Sequence, residues 1–157
     1  MPHDNDRVVR LFVFIYLLAG CNFLPAMFGL PFEEMWVVAL KNVRAEGVCK
    51  RPRFFQDGEV WMVNVDECIK LMATIFSSFK NEAAFRRGGR TAGGILADVK
   101  ENVQGYVDVI RAVIFNLNGT KTTLTCPGIE SMRLQSERAN TVMAYWQDGL
   151  KETMPKK

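Results

Sequence analysis

The chain carries no charged residue between Leu11 and Phe32, and this apolar stretch restricts what its N-terminal part can become. Arginines precede the stretch, and its first part, 11–18, is strongly apolar. A weakly basic start followed by an apolar run of this length is typical of a secretory signal peptide. The sequence therefore predicts an exported protein whose remaining residues lie outside the cytoplasm.

The apolar run ends in Leu-Ala-Gly-Cys over 18–21, with small residues directly before Cys21. The peptidase that processes bacterial lipoproteins requires little bulk at its cleavage site, and the cysteine thiol then carries the lipid. The tetrapeptide resembles that signal at all four positions. The sequence therefore predicts a lipoprotein signal peptide over 1–20, lipidation of Cys21 and a tether over 21–31.

Two other fates of this segment remain open. The uncharged stretch is long enough to span a bilayer of about 30 Å, and basic residues before it with Glu33 and Glu34 after it would orient an N-terminal membrane anchor. Plain secretion after cleavage nearby is the second alternative. If Cys21 is lipidated, resemblance to Gram-negative lipoproteins favours a periplasmic protein anchored to the outer membrane, because the next residue is Asn22 and not aspartate.

The single histidine, His3, lies ahead of the predicted signal segment. A length of 157 residues with 48% apolar side chains suits one domain with its own core, which we place at 32–157. This domain contains no histidine. That argues against most zinc sites and against Ser-His-Asp or Cys-His catalysis. The sequence therefore predicts a non-enzymatic protein with no cofactor and no metal.

Charge patterning adds little further chemistry. The net charge of +3 is too mild to indicate nucleic acid as a partner. Asp98 and Glu101 lie three positions apart and form an acid pair that a carboxylate-based hydrolase would use. A solvated helix face explains the pair better, and mixed charge on a small helical body favours a protein partner.

Apolar residues recur at helical spacing through most of the domain and predict a mainly α fold, a small bundle of about four helices. Gly105 falls within the third of these helices, which predicts close packing of another helix against it. For the second helix, an extension to 85 is left open. The expected helices are 32–46, 65–79, 94–118 and 130–151.

A turn pattern interrupts the helical spacing between the first two helices. Asp57-Gly58 stands between two apolar, β-prone runs, which predicts a short β-hairpin over 53–63. An irregular loop pinned by Cys49 is the alternative.

A second irregular stretch, 85–94, combines glycines with Arg86, Arg87 and Arg90. The functional interpretation is an anion or phosphate contact. No strand leads into the stretch and no lysine follows in phosphate-loop register, so it is not a nucleotide fingerprint. A solvated link between helices is the interpretation that we favour.

Three cysteines remain if Cys21 carries lipid, namely Cys49, Cys68 and Cys126. An oxidising compartment would pair two of them and leave one thiol free. We favour Cys49–Cys68, which would clip the hairpin onto the second helix. Cys68–Cys126 is the alternative; it would close a longer loop and stabilise the fold by about 3–5 kcal/mol in the chain-entropy model. The wide spacings do not match a metal site.

A family resemblance rests on the order of motifs in the C-terminal third of the chain. Those motifs are Gly105-Tyr106, an apolar helix through Ala112, Cys126-Pro127 with Gly128-Ile129, and a helix through Tyr145 and Leu150 toward Pro155. Their order resembles the immunity proteins of type VI secretion amidase effectors, the Tai/Rap group. That family has a cysteine shortly before the Gly-Tyr pair, where this chain has Asn102, Val103 and Gln104.

The resemblance implies an exported, mostly helical periplasmic protein that plugs the catalytic cleft of a peptidoglycan-cutting toxin. Such proteins often form dimers, so the resemblance also implies a homodimer. Inhibitors of this kind often insert an exposed loop, and the candidate contacts here are the Asp57-Gly58 tip and the link with Arg86, Arg87 and Arg90. The alternative hypothesis is an accessory envelope lipoprotein, such as a pilotin or assembly factor, whose helical groove holds a peptide of a secretion or pilus component.

Overall fold

The computed structural model describes residues 2–20, 31–41, 53–80, 82–89, 91–118 and 126–153. These residues form helices and one two-stranded antiparallel sheet, which confirms the predicted mainly α fold with a short hairpin. The elements in chain order are α1 (Pro2–Leu18), α2 (Phe32–Lys41), β1 (Phe54–Asp57), β2 (Val60–Val63), α3 (Val65–Thr74), a π-helical segment (Ile75–Lys80), α4 (Glu82–Arg87), α5 (Ala92–Asp98), α6 (Val103–Asn118) and α7 (Ile129–Thr153).

Polar residues fix the beginning of the helices that the sequence predicts. The Asn64 side chain accepts a hydrogen bond from the backbone N–H of Glu67 at 3.1 Å, as a residue that caps α3 should. Acidic residues occupy the first turns of α2 and α3, where they face the positive end of the helix dipole. The predicted continuation of α2 to residue 46 lies outside the described residues.

The structure shows that the prediction of one continuous helix over 94–118 is wrong. α5 ends at Asp98 and α6 begins at Val103, because Lys100 and Glu101 adopt left-handed backbone conformations with φ of 54° and 61°. The backbone N–H groups of these two residues donate into the last turns of α5 at 3.0 and 2.9 Å, which is the bond pair of a Schellman helix end. The apolar spacing continues across the break, so the pattern could not reveal it.

Gly105 lies just after this break, in the first turn of α6. Its backbone N–H donates to the side-chain oxygen of Asn102 at 2.8 Å, so Asn102 caps the helix. A Cβ atom on Gly105 would lie 3.2 Å from the Cβ atom of Val99, the C-cap residue of α5. Close packing is therefore found at Gly105, with the end of α5 as its neighbour.

Helix α1 is the segment that the sequence predicts to be a signal peptide, and in the structure it forms part of the core. It packs against α7 and α2. Its large apolar side chains with at most 2% exposure are Leu11, Phe14, Ile15, Leu17 and Leu18. Fully burying a side chain of this kind stabilises a fold by about 1.5–3 kcal/mol. Among the described residues, no helix combines the length and apolar content that a membrane crossing requires.

Helix α7 supports much of the fold, because it contacts α1, α3, α6 and β2. Its buried side contains both apolar and amide side chains: Met132, Gln135, Ala139, Asn140 and Met143. Leu134, although apolar, is 46% exposed. The buried positions repeat at helical spacing, and position 134 is turned away from the stripe that they define.

We expect the Lys100→Gly variant to be more stable than the parent by about 0.5–1 kcal/mol, because a non-glycine residue in the left-handed region carries a steric cost. Urea unfolding followed by circular dichroism measures the difference. The matched control is Ala97→Gly, at an exposed position inside α5, which should lower the unfolding free energy by up to about 1 kcal/mol. Equal losses in both variants would contradict the assignment of strain to Lys100.

Candidate functional site

The hairpin that projects from the body has the register that its turn residues dictate. Its strands pair antiparallel, with Asp57 opposite Val60. Gly58 is the first central residue of the turn and has φ of +65°, whereas Glu59 has no positive φ. That combination is typical of a type II′ turn, in which glycine takes the first central place.

The two faces of the hairpin have different environments. Phe54 and Trp61 are half-buried and Val63 is fully buried, on the face that meets the body. The Phe54 ring meets the Phe14 ring of α1 edge-on, with 6.4 Å between centroids. On the other face Phe55 is 46% exposed. The residues from 56 to 59 around the turn are exposed, so the tip and one face are presented outward.

Two side-chain amides of α7 close the outer edge of β2. The Asn140 amide accepts from the Val63 N–H at 2.8 Å and donates to the Val63 carbonyl at 2.9 Å. The Gln147 amide makes the same two bonds with Trp61, at 3.0 and 3.1 Å. Each amide therefore satisfies a backbone donor and a backbone acceptor that a third strand would otherwise pair. We call this set of four hydrogen bonds the amide clasp.

An ion pair holds the base of the hairpin on the other side. Glu67 of α3 accepts from the Arg53 backbone N–H at 3.2 Å and from its Nε at 3.0 Å. The Arg53 side chain is 81% exposed, so solvent screens the ion pair and the contact mainly orients the chain. The Asn64 N–H also donates to the Arg53 carbonyl at 3.1 Å. The hairpin is thus fixed along one edge and at its base.

The other candidate contact residues lie at the link between α4 and α5. Arg86 and Arg87 end α4 and are exposed, and Gly89 turns the chain with φ of +70°. Arg90 lies outside the described residues. Thr91 then caps α5 by accepting from the Gly94 N–H at 3.0 Å. The link is therefore an exposed basic connection between short helices, as the sequence predicts.

The acidic residues Asp98 and Glu101 lie in different parts of the fold. Asp98 ends α5, whereas Glu101 lies in the left-handed link that follows, and both side chains are exposed. Within the described part of the chain, no group of histidine, cysteine and acidic side chains is arranged to hold a metal ion.

The Gly-Tyr pair that carries the family resemblance has a structural place in the core. Tyr106 is fully buried on α6, and its hydroxyl lies 2.7 Å from the Thr74 hydroxyl at the end of α3. The Thr74 hydroxyl in turn donates to the Lys70 carbonyl at 2.7 Å, so the Tyr106 hydroxyl is the donor to Thr74. This contact joins α6 to α3 directly before the π-helical segment.

The described cysteines are not bridged. Cys68 and Cys126 carry free, buried thiols, so neither the Cys49–Cys68 nor the Cys68–Cys126 disulfide is formed in this structure. Cys21 and Cys49 lie outside the described residues. Burial raises the pKa of Cys68 well above its ordinary value, and the nearby Glu67 carboxylate raises it further. Burial also raises the pKa of Cys126 to about 12, although the Arg111 guanidinium opposes this.

Sequence reasoning missed the amide clasp. Its bonds join residues 77 and 86 positions apart, and no local pattern reports such a contact. The signal available in the sequence was the presence of Asn140 and Gln147 seven positions apart, two helical turns, beside the apolar stripe of α7.

We expect Asn140→Ala to lower the unfolding free energy by about 2–4 kcal/mol, because the buried N–H and carbonyl of Val63 both lose their partners. The control is Thr141→Ala, an exposed residue whose hydroxyl bonds only its own helix, at Glu137. That variant should change stability by less than about 0.5 kcal/mol. Urea unfolding of both variants checks the prediction, and similar losses would contradict a special role of the clasp.

We expect Cys126 in the folded protein to react with iodoacetamide far more slowly than in urea. A pKa of about 12 instead of 9.0 leaves about a thousandfold less thiolate at pH 8, and burial also blocks access. Peptide mass mapping of timed samples measures labelling at Cys68 and Cys126. Equal labelling rates with and without urea would contradict the prediction.

Because only the unfolded state ionises these thiols between about pH 9 and 12, the unfolding free energy should fall as the pH rises through that range.

No protein-family model, curated protein or solved structure matches this chain. The hairpin, held by the amide clasp and exposed at its tip, is the feature from which a function is argued.

Proposed function

We propose that this chain is an exported, non-enzymatic protein that binds and inhibits a peptidoglycan-targeting toxin, and that it inserts the hairpin into the toxin. The observation that carries the proposal is the firm mounting of an exposed tip. The amide clasp fixes one edge of the hairpin and the contact of Arg53 with Glu67 fixes its base. An element already held in its bound conformation loses little conformational entropy on binding.

The chemistry of the hairpin suits insertion into a cleft. On the outward face Phe55 is exposed beside the half-buried Val60 and Met62, and the carboxylates of Asp57 and Glu59 flank Gly58 at the tip. A cleft with apolar walls and a cationic group at its floor would complement this surface. The signal-type N-terminal segment and the resemblance to amidase immunity proteins support a toxin of the cell envelope as the owner of that cleft.

The proposal includes attachment of the mature protein to the outer membrane through lipid on Cys21. Mass spectrometry of the protein isolated from its native host tests this point. A mature N-terminus at Cys21 that carries diacylglycerol is the expected result. An intact Met1 would contradict lipidation, and an unmodified cleaved N-terminus would favour secretion.

A second candidate function is an accessory envelope lipoprotein that holds a helical peptide of a secretion or pilus component. The observation that favours it is the burial of α1 against α7 and α2, because the body accommodates a helix along that surface. The neighbouring genes discriminate the two candidates. An effector gene next door favours the toxin inhibitor, whereas secretion-apparatus genes favour the accessory protein.

If a neighbouring effector gene encodes an amidase, we expect cells that express this amidase in the periplasm to survive only when the full chain is co-expressed. The Asp57→Ala/Glu59→Ala variant should inhibit the purified amidase at least tenfold more weakly than the parent, because it removes the tip carboxylates. The matched control is Arg86→Ala/Arg87→Ala, which removes two exposed charges elsewhere and should inhibit like the parent.

Equal lysis with and without the chain would show that the protein is not an inhibitor of that toxin. If the parent and the tip variant both protect the cells and the Arg86→Ala/Arg87→Ala variant does not, the link between α4 and α5 contacts the toxin and the hairpin tip does not. Circular dichroism of each variant shows whether a loss of inhibition reflects a loss of folding.

A further inference from the structure

We propose that residues 2–20 fill a helix-binding groove in the unprocessed chain, and that a helix of the toxin occupies this groove after those residues are removed. The inference rests on the proposed function, because it requires export and cleavage before Cys21.

The buried side of α1 has the spacing of a helix seated in a groove. Leu11, Phe14, Ile15 and Leu18 follow the positions i, i+3, i+4 and i+7, and each is at most 2% exposed. These are the anchor positions by which an amphipathic helix binds an apolar groove of another protein. The groove is formed by α7 and α2, with Phe54 of the hairpin against the Phe14 ring.

Polar contacts at both ends of the buried stretch determine in which direction a helix lies in the groove. Gln135 of α7 donates from its Nε2 atom to the Leu18 carbonyl at 3.1 Å, where a helix leaves its last carbonyls without partners in the helix itself. Near the other end, the Arg10 guanidinium lies 4.2 Å from the ring centroid of Trp61, a cation–π contact. Both receiving groups belong to the part of the chain that remains after cleavage.

The outward side of α1 is much more exposed to solvent than its buried side. Val9, Phe12 and Tyr16 are between 44% and 60% exposed. Phe12 meets the rings of Phe32 and Trp36 edge-on, each at 5.2 Å between centroids, and Tyr16 meets the Phe32 ring at 6.3 Å. Val9, the most exposed of the three, is the position at which a substitution should affect binding least.

The end of α1 coincides with the predicted processing site. The helix ends at Leu18, and Gly20, with φ of +102°, turns the chain directly before Cys21. Cleavage there would release the whole helix and expose an apolar groove. While the helix is tethered, its high effective concentration keeps the groove filled. The segment that replaces it should be a helix with a cation at one position and apolar residues one, four, five and eight positions later, as Arg10 precedes the four anchors.

The test uses the full chain with Cys21→Ser and a specific protease site inserted within 22–30, produced without export. A fluorescent peptide of residues 5–20 serves as the probe, and anisotropy measures its binding before and after cleavage. We expect the cleaved protein to bind the peptide at least tenfold more tightly than the uncleaved protein. Circular dichroism of the cleaved sample, with its fragment still present, verifies that the body remains folded.

Peptide variants separate the two sides of the helix. Phe14→Asp/Leu18→Asp should abolish binding, whereas Val9→Ser, at a position that is 60% exposed, should bind within about fivefold of the parent peptide. On the receiving side, Trp61→Ala should weaken binding, and Phe55→Ala, on the opposite face of the hairpin, should not. Equal effects of both peptide variants, or no binding after cleavage, would overturn the groove.

The purified amidase encoded next to the gene completes the test. We expect it to displace the fluorescent peptide from the cleaved protein. If the amidase is inhibited but does not displace the peptide, the groove is not the surface that contacts the amidase. The proposed function then still stands. Absence of any inhibition overturns the proposed function and, with it, the toxin as the occupant. If the mature envelope protein retains residues 2–20, these residues still fill the groove. A toxin helix then does not replace them, and the inference is wrong.

Discussion

The pairing of the Asn140 amide with the backbone of Val63 is the contact on which the placement of the hairpin depends. A two-stranded hairpin alone is marginally stable in water, and the outer edge of β2 needs partners. Asn140 and Gln147 supply them from α7, which thereby takes the place of a third strand. With that edge closed, Val63 is buried against the body and the tip is directed away from it.

Local chemistry accounts for the parts of the fold that sequence reasoning predicted. The Asn64 cap, the acidic first turns and the glycine of the hairpin turn act within a few residues, so the sequence displays them directly. The break at Lys100 and Glu101 escaped prediction because these residues carry no turn signal and the apolar spacing continues across them. The amide clasp escaped it because its partners meet only through tertiary packing. Of the candidate contacts, Asp57 and Gly58 were placed correctly at an exposed tip.

The N-terminal segment illustrates a limit of hydropathy patterns. An apolar helix suits a signal peptide, and the same side chains suit a protein core, because both environments exclude water. Leu11, Phe14 and Leu18 therefore fit the predicted signal segment as well as the core in which the structure places them. The structure adds the specific partners in the core, among them Gln135 and Phe54, which no pattern in residues 1–20 could indicate.

The order of contacts along the chain also determines when folding can finish. Leu18 and Gln135 meet across 117 positions, and the clasp joins residues 77 and 86 positions apart, always with α7 as one partner. Closing such long loops is slow, because chain entropy is lost before any contact repays it. α1 has no complete binding site until α7 has been synthesised. During translation the N-terminal segment therefore stays accessible, and the body cannot close around it until the C-terminal helix has emerged from the ribosome.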